Sequence, residues 1–208
     1  MLGCLLEKER TTPDAYPLTM NGLLAAANQS SNRNPVVHLE EPTVANALEN
    51  LRARGQVRVV YSRSNRADRF RHVLDESLRL APPQLAVLCV LMLRGPQTVS
   101  ELRARTDRLH EFASAGEVEA ALADMAARPE PLAVRLARQP GQKEPRWAQL
   151  LGSELPPDAV AAGAGPDDRP APTLERLAIL EARVDALADQ VAALLTALGQ
   201  DPDPATGG

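Results

Sequence analysis

Two groups of residues in this chain could do chemistry, and both are polar. Arg52, Arg54, Arg58, Arg63, Arg66, Arg69 and Arg71 crowd together, with Asp68 the only acid between residues 52 and 72. A guanidinium presents its donors in a rigid fork that matches phosphate oxygens, so such a run suits contact with a nucleic-acid backbone. The bland alternative is a solvated strand edge guarded by charge. The second group is the stretch NQSSNRNPV, residues 28–36. Asn and Ser side chains bond to their own backbone and satisfy helix ends, and Asn tolerates positive φ. A self-capped turn therefore accounts for Asn28, Ser31 and Asn34, with Pro35 holding Asn34 extended. It leaves Gln29 and Arg33, which read as a polar edge able to hold phosphate or a partner's acidic group.

Other chemistries lack material. His38, His72 and His110 lie far apart, with no Cys or carboxylate at metal-ligand spacing. His72 alternates with Phe70 and Leu74, the pattern of a histidine at a core edge. There is no Gly-rich phosphate loop and no G-x-S-x-G elbow. The expectation is a non-enzymatic protein with no catalytic, cofactor-binding or metal-binding residues and no cofactor. Cys4 and Cys89 sit in apolar helical patterns and read as lone buried thiols, which suits a reducing cytoplasm. The opening MLGC resembles a lipoprotein cleavage box, but no basic or apolar leader precedes it and Glu7-Lys8-Glu9 follows. No stretch approaches the roughly 20 apolar residues that span a bilayer, so no membrane partner is expected.

The elements that must position these residues follow from periodicity. LGCLLEKE places Leu2, Leu5 and Leu6 on one helical face, and Thr19 caps a second helix carrying Leu23, Leu24 and Ala27. The third helix, EPTVANALENLRARG, aligns Val44, Ala47, Leu48 and Leu51, with Pro42 in its first turn and Gly55 as its stop. Its exposed side offers Thr43, Asn46, Glu49 and Asn50. Asn can pair with adenine in a major groove, whereas Glu40, Glu41 and Glu49 repel phosphates. QVRVVY and RFRHVL alternate as a hairpin, which turns Arg58, Arg69 and Arg71 away from the core and puts Arg63 and Arg66 at its tip.

The same series then recurs. A long apolar helix leads through a Thr98 cap to a short one. A third follows with Val118, Ala121, Leu122 and Met125 at helical spacing, and then the hairpin PLAVRLAR and PRWAQLL. Three helices and a two-stranded hairpin make the plan of a winged helix, in which the last helix is presented and the hairpin can touch a nucleic-acid backbone. In the second copy that helix carries Glu117, Glu119 and Asp124 and no base before Arg128, so its Ala120, Ala121 and Ala123 face reads as an inter-domain or dimer contact.

Aromatics make up 2% of the chain, so the core must be built from Leu, Val and Ala. From residue 153 onward acids dominate; the part before is mildly basic, and the net charge of −4 conceals this. Residues 153–172 read as a flexible acidic Pro/Ala/Gly linker. A heptad follows with Leu177, Val184, Val191 and Leu198 at a and Leu180, Leu187 and Leu194 at d. That pattern pairs two parallel helices into a homodimer; a helix folded back on the body is the equal alternative.

LGCLLEKERTTPDAYPLTMNGL, NQSSNRNPV, LCVLMLRGPQTVSELRART, LHEFA and RQPGQKEPRWAQLL together resemble the YceH-like family of uncharacterised bacterial proteins, over residues 2–152. The resemblance implies a tandem pair of winged-helix domains and brings no activity, cofactor or substrate. It also implies a first helix truncated at Met1, since family members carry residues ahead of LGCL. Where the family often has Cys, Lys and Asp, this chain has Ala27, Ser30 and Asn34.

The expected fold is mainly α with small β-hairpins (α+β). It comprises two tandem winged-helix domains, residues 1–76 and 77–152, the linker, a coiled-coil-like amphipathic helix over 173–199 and a tail over 200–208. The expected function is that of a transcription-regulator-like protein contacting double-stranded DNA through Gln29, Arg33, Asn46, Asn50, Arg52, Arg54, Arg58, Arg63, Arg66, Arg69 and Arg71. The alternative is a protein-interaction scaffold that binds a protein partner and no nucleic acid.

Overall fold

The computed structural model describes residues 1–61, 67–138 and 141–152. Arg63 and Arg66, the acidic linker, the heptad from Leu177 to Leu198 and the tail lie outside the described residues.

The described residues are mixed α and β. The first half runs α1 (Leu2–Thr11), a 3-10 turn at Pro13–Ala15, β1 (Leu18–Thr19), α2 (Met20–Ala27), α3 (Glu41–Ala53), β2 (Val57–Val60) and β3 (Arg69–His72). A short α4 (Leu74–Ser77) leads to the second half: α5 (Pro82–Arg94), α6 (Val99–Thr106), α7 (Ala115–Ala126), β4 (Ala133–Arg135) and β5 (Trp147–Gln149). Among these no helix is long and apolar enough to cross a membrane.

The helix ends behave as their residues dictate. Thr19 Oγ1 accepts from Gly22 N at 3.2 Å. Thr98 does the same for Glu101 N at 3.2 Å while Glu101 returns a bond to Thr98 N at 3.0 Å, a reciprocal capping box. After α3, Gly55 takes φ +66°, the left-handed conformation that costs glycine nothing.

Hairpin β2–β3 is antiparallel with Val57 opposite His72 and Val60 opposite Arg69. The strand β1, unforeseen in the sequence, pairs on the far side of β3, Leu18 opposite Phe70, giving the order β1-β3-β2. The second half repeats this arrangement in miniature. β4 pairs with β5, and Gln97 just before the Thr98 cap bridges Trp147 through two backbone hydrogen bonds of 2.7 and 3.0 Å. Both halves thus read helix, bridging residue, capping threonine, two helices, hairpin.

One large aliphatic core joins them, with a small separate cluster of Leu136 and Ala148 at the second hairpin. Leu5, Leu23, Val44, Leu48 and Leu74 from the first half and Leu88, Leu91, Leu102, Leu122 and Met125 from the second are fully buried in one cluster. The seam is α1 against α5. A Cβ on Gly3 would stand 2.9 Å from the Leu93 side chain and 3.0 Å from Met92 Cβ, so the two helices meet with no room for a methyl. Cys89 lies in the same seam and donates its thiol to Gly3 O at 3.3 Å. Cys4 and Cys89 are both free and buried, as expected for lone thiols, and burial pushes the Cys89 thiol well above the usual cysteine range.

Candidate nucleic-acid interface

Helix α3 is held by Val44 and Leu48, which are buried, so the opposite side must face out. Asn46, Asn50 and Arg54 fall four residues apart along that side, and all three are exposed. Among the described residues their side chains have no hydrogen-bond or ion-pair partner. Arg52 is engaged locally, 2.7 Å from Glu49 one turn back.

The described hairpin arginines, Arg58, Arg69 and Arg71, alternate outward as the strand period requires, and each of these three has a partner. Arg58 reaches Glu76 of α4 at 3.1 Å, and Arg71 binds the other oxygen of the same carboxylate. Arg69 donates to Pro17 O at 2.9 Å across β1. Tyr61, at the end of β2, is 74% exposed, an aromatic that sequence reading assigned only to the strand.

The polar stretch corrects one expectation. Arg33 was expected on an open edge, yet its side chain is 4% exposed. Its Nη2 donates to Glu7 Oε2 at 2.7 Å, to Ala26 O at 2.6 Å and, more loosely, to Cys4 Sγ at 3.7 Å. Its Nη1 reaches Glu7 Oε1 at 3.3 Å. A buried carboxylate on α1 needs a cation, and Arg33 supplies it, so this guanidinium is not available to a phosphate. Gln29 is half-buried and taken as well: its Oε1 accepts from Lys8 at 3.0 Å and its Nε2 donates to Ser31 O at 2.8 Å.

The amides of the stretch do the structural work expected of them, but toward neighbours as well as themselves. Asn28 brackets the backbone of Leu39, donating to its carbonyl at 2.8 Å and accepting from its N–H at 2.7 Å. Asn32 takes φ +58° and accepts from Arg94 of α5. Asn34 N donates to Leu93 O at 2.9 Å. The connection from α2 to α3 spans residues 28–40 and is fastened to α1 and α5.

His72 is buried, with Nε2 2.8 Å from Glu9 Oε2, and its backbone N–H donates to Tyr16 Oη at 2.9 Å. The hydrogen bond from His72 outweighs burial and holds the Glu9 carboxyl below the usual range, while burial pushes the Tyr16 phenol upward. Among the described residues no three His, Cys, Asp or Glu side chains converge as a metal site would require.

In the second half α7 departs from one expectation. Ala120 and Ala123 are exposed, but Ala121 points into the core with Val118, Leu122 and Met125, because it lies on their stripe. Beside the exposed alanines runs a groove lined by Val99, Ala115, Ala123, Pro145 and Trp147 together with the polar Ser100, Glu119, Arg135 and Glu144.

Residues 1–142 match the family described as "Protein of unknown function, DUF480". A UPF0502 protein of Pelobacter propionicus is 48% identical over 197 residues, covering 93% of this chain and 90% of the relative. One from Geobacter sulfurreducens is 47% identical over 190 residues (90% and 86% covered), and one from Dechloromonas aromatica 43% over 195 residues (93% and 89%). The expectation of an uncharacterised bacterial family is met; none of these names carries an enzymatic activity.

Proposed function

The chain belongs to the DUF480 family, and from its geometry we propose that it is a tandem winged-helix protein that binds double-stranded DNA through α3 and the hairpin of its first half. The twice-repeated order of helix, bridging residue, capped helix, helix and hairpin supports the winged-helix reading. One observation carries the DNA reading: Asn46, Asn50 and Arg54 form an exposed stripe without partners on the helix that such a fold presents. A buried or internally satisfied stripe would argue for packing. An unsatisfied one with two amides suits adenine edges, with the guanidinium on phosphate. The partnered arginines do not oppose this. Exposed ion pairs such as Arg58–Glu76 are worth about 0–1 kcal/mol, so a phosphate can replace the carboxylate at small cost.

The test is fluorescence anisotropy of a labelled mixed-sequence duplex against salt, for the wild type, Asn46→Ala/Asn50→Ala and Arg54→Ala/Arg63→Ala/Arg66→Ala. Binding that weakens steeply with salt, with a slope reduced by roughly one for each phosphate contact removed, supports the reading. No binding at low salt by the folded chain sinks it.

The groove beside α7 favours a second reading, a protein-interaction module. Its apolar lining of Val99, Ala115, Ala123, Pro145 and Trp147 suits a partner's side chains better than phosphates. A bound protein whose affinity falls little with salt and is lost in Ala123→Arg would favour it.

A further inference from the structure

Near the seam of the two halves a narrow crevice of about 30 Å³ is lined by Glu7 of α1, Asn32, Arg94 at the end of α5, Arg105 near the end of α6 and Arg108 just beyond it. Its charge is unbalanced. Both Glu7 oxygens are engaged by Arg33, which cancels that carboxylate. Arg94 bonds only the neutral oxygen of Asn32. Arg105 has its nearest carboxylate, Glu101, at 3.8 Å, and both oxygens of that group are committed to Arg146 at 2.8 and 3.3 Å. Among the described residues Arg108 has no hydrogen-bond or ion-pair partner. Arg94, Arg105 and Arg108 thus line one crevice, beside the apolar Cys89, Val90, Leu93 and Leu109, and the one carboxylate that lines it with them, Glu7, is held by Arg33.

We propose that Arg94, Arg105 and Arg108 form a binding site for a phosphate group, free or carried by a small nucleotide. Guanidinium forks gathered round one crevice suit a tetrahedral oxyanion, since each can present two N–H donors to two of its oxygens. The size agrees. A single water needs about 10–15 Å³ of such space, so the crevice admits the inner oxygens of one phosphate and leaves the others at its mouth. Burial first, then the charges of Arg105, Arg33 and Arg108, hold Arg94 below the usual arginine range. A bound dianion relieves that repulsion. The site has a readable link to the rest of the fold, because Arg94 is bonded to Asn32 and the chain from Asn32 continues into α3. The inference does not depend on α3 meeting DNA.

The test is isothermal titration of the full chain with sodium phosphate in buffer matched in ionic strength with sodium chloride. The same titration is made with adenosine 5′-monophosphate and with adenosine. Saturable phosphate binding that weakens at least tenfold in Arg105→Ala/Arg108→Ala, two exposed positions whose loss leaves the core intact, is the expected result. Equal affinity for phosphate and the monophosphate assigns the free anion; tighter binding of the monophosphate, with adenosine silent, assigns a nucleotide. Heat no different from the chloride blank, or binding unchanged in the double variant, overturns the proposal.

Discussion

The guanidinium of Arg33 rests on the carboxylate of Glu7, 2.7 Å between Nη2 and Oε2, with both side chains less than a tenth exposed. It ties the connection before α3 to α1, and a further bond to Ala26 O ties it to α2. What the polar stretch holds, above all, is the protein itself.

Removing one member of such a pair leaves the other charged and buried, which costs about 3–5 kcal/mol. Arg33→Ala is therefore expected to lower the melting temperature by roughly 6–20 °C, as followed by circular dichroism, at the 2–4 °C per kcal/mol typical of a chain this size. The double variant Glu7→Gln/Arg33→Met removes both charges and is expected to recover much of that loss. An Arg33→Ala protein within about 2 °C of the wild type would show that the pair contributes nothing.

Glu9 and His72 give the fold a sensitivity to acid. The folded-state pKa of Glu9 is lowered, chiefly by its hydrogen bond to His72. A carboxyl with a depressed pKa contributes stability that is complete above its unfolded value of 4.5 and is lost as the pH falls through the folded value. Stability measured by urea denaturation should fall below about pH 4.5 more steeply in the wild type than in Glu9→Gln. Parallel curves for the two proteins would contradict the linkage.

At the seam, Gly3→Ala sets two effects against each other. Alanine gains up to about 1 kcal/mol of helix propensity over glycine. Its methyl would meet Leu93 at 2.9 Å and Met92 Cβ at 3.0 Å, and overpacking of that kind costs about 1–3 kcal/mol. The clash wins, so the variant is expected to be less stable. Adding Leu93→Ala, which makes room for the methyl, should cost less in that background than in the wild type. Additive losses in a double-mutant cycle would show that the two side chains do not meet.

The parts of this fold that were legible in the sequence are those whose signal is local. Val44, Leu48 and the residues of β2 and β3 repeat at periods of 3.6 and 2, and Thr19, Thr98 and Gly55 punctuate helices by their own chemistry. β1 has two residues, Leu18 and Thr19, too few to show any period, so its pairing with β3 could be seen only in three dimensions. Arg33 was misplaced for a related reason. Its burial depends on Glu7, 26 residues earlier, and one charged residue carries no mark of a partner so far away. Arg94, Arg105 and Arg108 stand at or just beyond helix ends and share no sequence spacing that marks a common site; only the packing of α1, α5 and α6 brings them round one crevice. The outward stripe of α3 was legible because it is the complement of a core stripe.

Glu76 offers the sharpest test of that stripe's neighbourhood. One carboxylate holds both Arg58 and Arg71, and it does so at the surface, where it also repels any phosphate the arginines could reach. Glu76→Gln removes the charge and keeps the shape. Its cost in stability is expected to be no more than about 1 kcal/mol, because both pairs are exposed. If the first half meets DNA through this hairpin, the variant should bind a duplex more tightly than the wild type. Its salt dependence should also be steeper by roughly one released counterion, since two freed guanidiniums compete for phosphate with no carboxylate between them. The comparison is made by anisotropy at two or more salt concentrations. If affinity and slope are the same with and without the charge of Glu76, the hairpin arginines serve the fold, and the DNA reading must rest on α3 alone.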